Sequence, residues 1–269
     1  MRDKIRAYYD DIVEQEWGRL ERNRMEFAIT TRYLSQHLPG SGRVLDCGGG
    51  PGRYALWLAE RGYDVSLIDL SPKCPEWAQR EAERASLRLE TAEGTATDLS
   101  RFSDESFDAA LLLGPLYHLH EQDEREQAVL EICRVVRPGG LIAAGFVTRT
   151  APLRFLAKEA TERTLELLDA MRNVLAHGWD EGFPPPDEPA FYAYFAHPSE
   201  VEPLLRTADL EVLGVYAAEG FVSMIDGALN ELEGEAWDAW VPLNSELASD
   251  PTLLSGAEHL VALARRPPR

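Results

Sequence analysis

The spacing of apolar residues changes character along this chain. From the start to about residue 37, Ile5, Tyr8, Tyr9, Ile12, Val13 and Trp17, then Leu20, Phe27, Tyr33 and Leu34, recur at steps of three and four, the period of a helix face. Pro39-Gly40-Ser41-Gly42 ends that run. Short apolar runs then alternate with helical stretches. The pattern predicts strands over 43–47 (RVLDC), 64–70 (DVSLIDL), 87–91, 107–113 (FDAALLL) and 141–147 (LIAAGFV), with helices over 53–61, 75–84 and 122–137. Arg137 before Pro138-Gly139-Gly140 reads as the stop of the last helix. The runs 107–113 and 141–147 are almost wholly apolar, as strands covered on both faces are. Strands separated by helices imply parallel βαβ units.

After residue 149 the alternation lapses. Leu153, Leu156, Ala160, Leu165, Leu168, Met171 and Leu175 fall at helical spacing over 152–176, and a loop holding Pro184-Pro185-Pro186 follows. The alternation resumes with a helix over 199–208, a strand over 210–216 and a last strand over 259–264, while 218–256 reads as helical segments and loops. The resulting division is an N-terminal helical lid (1–39), a core (40–149), a helical insertion (150–197), the core continued (198–217), a second insertion (218–256) and a final strand with its tail (257–269).

Charge narrows the partners. Forty-six acidic against 27 basic residues leave a net charge of -19, with no cluster of Lys and Arg to displace counterions from a polyanion, so a nucleic acid is not an expected partner. No apolar run approaches about 18 residues and the N-terminus is charged, so neither a membrane span nor a signal peptide is expected and the location read from the sequence is cytoplasmic. Cys47, Cys74 and Cys133 are scattered, without partners at ligand spacing, which speaks against a disulfide framework or a structural metal.

The chemistry begins at Asp46-Cys47-Gly48-Gly49-Gly50-Pro51-Gly52-Arg53, a glycine-rich turn between a strand and a helix start. Backbone there can approach a ligand closely, and the helix N-terminus favours an anionic group. A triphosphate-binding loop would need Gly-Lys-Ser/Thr, which is absent, and a dinucleotide fingerprint would need a small residue where Arg53 stands. Asp69 ends the next strand, where a carboxylate can accept from ribose hydroxyls.

The D-x-G-x-G-x-G pattern of Asp46, Gly48, Gly50 and Gly52 resembles the first motif of class I S-adenosylmethionine (SAM)-dependent methyltransferases. So do Glu93-Gly94-Thr95-Ala96-Thr97-Asp98-Leu99, Gly114-Pro115-Leu116-Tyr117-His118-Leu119 and Arg134-Val135-Val136-Arg137-Pro138-Gly139-Gly140, in that order. The resemblance is close over 40–149 and loose over 197–217. It implies an α/β fold with a Rossmann-like, seven-stranded, mostly parallel sheet, helices on both faces, and a largely helical cap over the carboxyl ends of the strands. It also implies SAM as cofactor, with Gly48, Gly50 and Gly52 along its methionine part, Asp69 on the ribose and Leu70 on the adenine. Leu113 and Gly114 would meet the methionine amine. Where the family often has Gly-Asp-Ala, this chain has Gly94-Thr95-Ala96, so the adenine contact falls to Thr95 and Ala96 or to Asp98.

Methyl transfer from a sulfonium needs alignment first and a base only when the acceptor carries a proton. His118, just past the fourth strand, is the candidate base; an unperturbed imidazole there would titrate near pH 6 to 7. It can equally cap the following helix, and His120 is expected in solvent. Tyr8, Tyr9 and Trp17 can face the sulfonium from the amino-terminal helix or simply pack. Tyr9, Tyr117, Arg149, Tyr192, Tyr194 and His197 are the candidate substrate contacts, the last three lying in an aromatic cluster at the end of the first insertion. The expected function is methyl transfer from SAM to an oxygen or nitrogen of a small molecule. Two alternatives stand beside it: a SAM-binding protein with a non-methylating or partner role, and an NAD-dependent oxidoreductase.

Overall fold

The computed structural model describes residues 1–181 and 191–268. Two helices, α1 (Arg2–Arg22) and α2 (Arg24–His37), open the chain. There follow β1 (Arg43–Cys47), α3 (Arg53–Glu60), β2 (Asp64–Asp69), α4 (Lys73–Arg84), β3 (Glu90–Glu93), β4 (Phe107–Leu112), α5 (Gln122–Val135) and β5 (Val136–Val147). The remainder holds α6 (Ala151–Glu159), α7 (Thr164–His177), α8 (Pro198–Arg206), β6 (Glu211–Ala217), the one-turn α9 (Gly227–Asn230), α10 (Gly234–Leu247) and β7 (His259–Arg265). The loop with Pro184-Pro185-Pro186 lies outside the described residues.

The strands form one seven-stranded sheet in the order β3-β2-β1-β4-β5-β7-β6. All pairings are parallel except those of β7, which runs antiparallel between β5 and β6. The apolar run of β4 serves two cores at once because successive side chains of a strand point to opposite faces. Ala109 and Leu111 pack with Tyr54, Trp57 and Leu58 of α3 and Leu34 of α2, while Ala110 and Leu112 pack with Val129 and Ile132 of α5 and Val201 of α8. Chain order and sheet order reverse between β1 and β4, so the loops leaving these neighbours diverge and open a crevice at the carboxyl ends of the strands.

Four local departures from the sequence pattern have physical causes. The amino-terminal helix breaks at Asn23, whose φ of -99° and ψ of 59° are not helical. The break lets α1 cross the crevice while α2 packs on the sheet side, where the Tyr33 ring stacks on Tyr216 with centroids 3.9 Å apart. Strand β3 begins at Glu90, later than expected, because Ser86 takes a left-handed turn (φ 58°) and pairing with β2 starts at Ser66–Glu90. Pro138-Gly139-Gly140 belongs to β5, not to a turn before it: Gly139 donates to the Arg266 carbonyl at 2.7 Å, and Arg266 donates to that of Gly140 at 3.0 Å. A bulge between Phe107 and Ala109 absorbs the extra residues. Finally, a 3₁₀ turn at Thr161–Arg163 rotates α7 relative to α6, so that α7 buries Leu167, Met171 and Val174 and exposes Leu165, Leu168 and Leu175.

A buried charged cluster anchors the entry of β7. The His259 backbone N–H donates to Glu219 Oε2 at 3.2 Å and its Nδ1 bonds Glu219 Oε1 at 2.5 Å. Arg19 Nη1 lies 2.6 Å from Glu26 Oε2, and its Nε lies 2.8 Å from Glu16 Oε1. Burial works to lower the His259 pKa, but the carboxylates of Glu219 and Glu26 together outweigh it and hold the imidazolium up to about 9. The folded protein thus binds this proton more tightly than the unfolded chain does. Its contribution, on the order of 3 kcal/mol from the gap above an ordinary imidazole, is complete below about pH 6.5 and lost as pH rises through about 9. Urea unfolding between pH 6.5 and 9.5 should show that decline, and His259→Gln should lower stability at pH 6.5 and flatten the decline. An unchanged slope in the variant would assign the pH dependence elsewhere.

Candidate active site

The crevice is lined from the carboxyl ends of four neighbouring strands. After β1 the chain turns through Gly48–Gly52 into α3. Gly50 has φ +54°, and a Cβ built on it would meet nothing within 4 Å, so its backbone borders open space at the cavity edge. Gly52 differs: a Cβ there would stand 2.7 Å from that of Ala78, so this glycine seats α3 on α4. Asp69, at the end of β2, accepts from the Gly50 N–H through Oδ2 and from the Ser71 N–H through Oδ1, both at 2.9 Å. One carboxylate thereby ties the loop after β1 to the loop after β2. Burial raises the Asp69 pKa to about 6 against those two donors. Asp46 sits beneath the loop, raised to about 7 by burial and by the nearby Asp69, with the Ala55 amide as a donor to it and Oδ2 without a partner.

Of the residues expected from the sequence, the cavity brings together Gly48, Gly50, Asp69, Leu70, Thr95, Ala96, Leu113, Gly114, Tyr9, Tyr117 and His118. Gly52 lies outside its lining. So does Asp98, an exposed residue whose carboxylate accepts from the Ser100 N–H at 3.0 Å. Arg149, Tyr192, Tyr194 and His197 also lie outside the lining. Arg149 pairs with Glu200, which accepts from the Tyr194 hydroxyl at 2.8 Å, and His197 caps α8 by accepting from the Ser199 N–H. Tyr194 donates its backbone N–H to the Tyr117 carbonyl at 2.7 Å, so this network braces the cavity wall from behind.

Helix α1 supplies a wall that the motifs did not announce: Arg2, Ile5, Glu16, Arg19 and Leu20 line the cavity with Tyr9. Tyr9, Glu16 and Leu20 are seven and eleven residues apart, which is one helix face, and that spacing was the available signal. Polar contacts strap this helix over the crevice. Arg2 Nη2 reaches Thr97 Oγ1 at 3.0 Å, and Ser71 Oγ donates to Asp10 Oδ1 at 2.6 Å. Arg53 donates to the Trp17 carbonyl at 2.7 Å with its guanidinium 3.6 Å over the Trp17 ring.

His118 ends a 3₁₀ turn, Pro115–His118, just past β4. Its Nδ1 lies 2.8 Å from the Tyr192 carbonyl, which can only accept, so Nδ1 carries the hydrogen and Nε2 is the acceptor for the Tyr9 hydroxyl at 2.7 Å. Arg125 Nη1 donates to the carbonyls of Leu119 and His120, each at 2.7 Å, and holds the chain that follows. Burial pushes the His118 pKa down to about 4, well below the range of an unperturbed imidazole. His120 is half-buried against Trp179, with ring centroids 6.0 Å apart, and is not a solvated side chain.

Among the described residues, Glu26, Glu219 and His259 bring ligand-type atoms within 4.8 Å of one another. Arg19 and the protonated His259 already face these carboxylates, so the cluster is internally neutralised without an ion. The three cysteines are free, Cys47 and Cys74 being buried. No helix among the described residues is long and apolar enough to cross a membrane.

A glycine turn that leaves its backbone open, a strand-end carboxylate on the neighbouring strand, and Leu70 and Ala96 lie together in one cavity at the carboxyl ends of a Rossmann-like sheet. Residues 44–140 match the family model described as a methyltransferase domain, so this stretch of the chain is similar to methyltransferase domains. It is 30% identical over 135 residues to a glycine/sarcosine N-methyltransferase of Aphanothece halophytica, covering 50% of this chain and 49% of that one. It is 28% identical over 179 residues to a ubiquinone biosynthesis O-methyltransferase of Xanthomonas campestris pv. campestris, covering 66% of each. The chain thus spans about half to two thirds of these relatives. A SAM-dependent methyltransferase structure from Methanosarcina mazei superposes with a TM-score of 0.61 at 21% identity, over 88% of this chain and 98% of that one.

The burial of His118 has a direct spectroscopic consequence. Its ring nitrogens, followed by ¹⁵N NMR in the ligand-free protein, should remain in the neutral Nδ1–H form from about pH 5.5 to 8. A titration midpoint at 6 to 7 would mean that the ring is solvated.

Proposed function

We propose that this protein transfers a methyl group from SAM to an oxygen or nitrogen of a small molecule. One observation carries the reading: a single cavity joins the open glycine backbone and Asp69 on one side to Tyr9, Tyr117 and His118 on the other. When bound, SAM supplies an electrophilic methyl on a cationic sulfur with a neutral leaving group. Asp69 would accept the ribose hydroxyls, Leu70 and Ala96 would shelve the adenine, and Gly48 and Gly50 would follow the methionine part with Leu113 and Gly114 opposite. Thr95 keeps a hydroxyl near that end, 3.2 Å from Thr97 Oγ1. Ring faces of Tyr9 and Tyr117 suit a cation, and Glu16 adds a carboxylate to the same cavity.

His118 is the base in this reading. A neutral imidazole in a dry site is able to accept a proton only if charge separation is small. Here it is, because positive charge leaves the sulfur as it arrives on the imidazole. The aromatic surroundings, Phe191 lying 5.3 Å from His118 and 6.1 Å from Tyr117 between centroids, favour a small planar acceptor. The N-methyltransferase and O-methyltransferase relatives support both acceptor elements equally. The net charge of -19 supports a small molecule over a nucleic acid.

Calorimetry should find SAM and its demethylated product binding and NAD not binding. Asp69→Ala should weaken SAM about ten- to hundredfold, as loss of charge-assisted hydrogen bonds costs roughly 1.5–3 kcal/mol. Methylation of a panel of phenols and amines, read as demethylated cofactor, tests transfer itself. NAD binding, or SAM binding indifferent to Asp69, would refute the cofactor assignment; tight cofactor binding without transfer to any of the panel would favour a non-methylating role.

A further inference from the structure

The arrangement around His118 leaves no bare basic nitrogen facing the cavity. Nδ1 donates to the Tyr192 carbonyl at 2.8 Å, and Nε2 is covered by the Tyr9 hydroxyl at 2.7 Å. The Tyr9 ring meets the imidazole edge-on, with centroids 5.3 Å apart and planes at 84°. Since Tyr9 spends its one hydrogen on Nε2, its oxygen lone pairs remain as acceptors, and Tyr9–His118–Tyr192 is a chain of bonds all pointing the same way. Tyr9 and Tyr117 line the cavity, and Tyr9 comes from α1, whereas His118 follows β4.

We infer that Tyr9 is a catalytic residue of this site: its oxygen receives the proton of the acceptor O–H or N–H while it passes its own hydrogen to His118 Nε2. The inference rests on the methyl-transfer reading. In the step, the acceptor's lone pair forms the new bond to the methyl carbon as the carbon–sulfur bond breaks, its electron pair staying on sulfur, which becomes a neutral thioether. The acceptor's O–H or N–H bond breaks, a Tyr9 O–H bond forms, the former Tyr9 O–H bond breaks, and Nε2–H forms. Tyr9 ends with one hydrogen, as it began, and the single positive charge has moved from sulfur to imidazole. The direction of the chain already suits this transfer, because the Tyr9 hydrogen already points at Nε2 and the Tyr9 oxygen can take the hydrogen of the acceptor. One consequence is structural: the base is complete only when α1 lies on the core, so the helix that covers the cavity also completes its chemistry.

Tyr9→Phe keeps the ring and removes the hydroxyl. In the ligand-free variant at pH 7, the ¹⁵N resonance of His118 Nε2 should move toward that of an unbonded imidazole nitrogen, while Nδ1 keeps its hydrogen. With catechol and tyramine as acceptor probes, kcat should fall about 10²-fold, the size expected of a positioned proton-transfer group. Affinity for S-adenosylhomocysteine should stay within about twofold of the wild type. An unmoved Nε2 resonance would show that the bond does not exist, and a kcat equal to or above that of the wild type would show that the acceptor reaches Nε2 directly; either overturns the relay. Parallel loss of cofactor affinity and kcat would reduce Tyr9 to a lid contact and also overturn it. A wild type that binds S-adenosylhomocysteine yet methylates neither probe would count against the methyl-transfer reading on these acceptors, and the NMR arm would still decide whether the dyad exists.

Discussion

The crevice is held in shape by one buried carboxylate with two backbone donors. Asp69 accepts from Gly50 and Ser71, and in doing so fixes the loops that leave β1 and β2 relative to each other. Neither loop is regular structure, and each carries amides that would otherwise need a partner out of water. The carboxylate meets that need at a cost, since burial raises its pKa to about 6. Any further donor reaching Asp69 from a ligand would favour its ionised form and so strengthen an arrangement that is only partly stabilised by the protein itself. A glycine at position 50 completes the device: its left-handed backbone directs the N–H toward Asp69 and leaves the outer side uncovered.

On this frame α1 acts as a fourth wall. Its attachments are mostly exposed ion pairs and hydrogen bonds, such as Arg2 with Glu124 and Arg6 with Glu93, each worth little in water. The buried Ile5 and Leu20 add apolar contact at two points along the helix, and Arg53 adds a stacked guanidinium on Trp17. Such a wall can detach more easily than the sheet can open, which suits a cavity whose contents must enter and leave. Its inner charges are of another kind. Glu16 and Arg19 connect through Glu26 toward His259 and Glu219, so the cavity wall is electrostatically continuous with the anchor of β7.

Much of this was legible in the chain. Short apolar runs and helical spacing were enough for the order of strands and helices over 43–147, because β4 and β5 are covered on both faces and read as nearly unbroken apolar runs. Glycine spacing and the placement of Asp69 pointed to residues that the fold brings together in one cavity, because backbone conformation and strand-end position are local properties. Local signals failed where a distant partner decided the outcome. Pro138-Gly139-Gly140 reads as a stop, but Arg266, far along the chain, pairs with it and draws it into β5. Arg149, Tyr194 and His197 read as a substrate cluster, whereas Glu200 and the end of α8 claim them.

The sequence by itself determined the fold class, the order of the core strands, the glycine turn and the presence of a histidine past β4. Tertiary structure decided what that histidine is. Its depth, its tautomer and its contact with Tyr9 arise from the Tyr192 carbonyl, 74 residues later, and from a helix 109 residues earlier. The helix face carrying Tyr9, Glu16 and Leu20 has the same periodicity whether it packs on a core or closes a cavity. Only the break at Asn23 and the reversal of the sheet order between β1 and β4 bring that face over the crevice, because a side chain's surroundings, unlike its spacing, are set by elements remote in sequence.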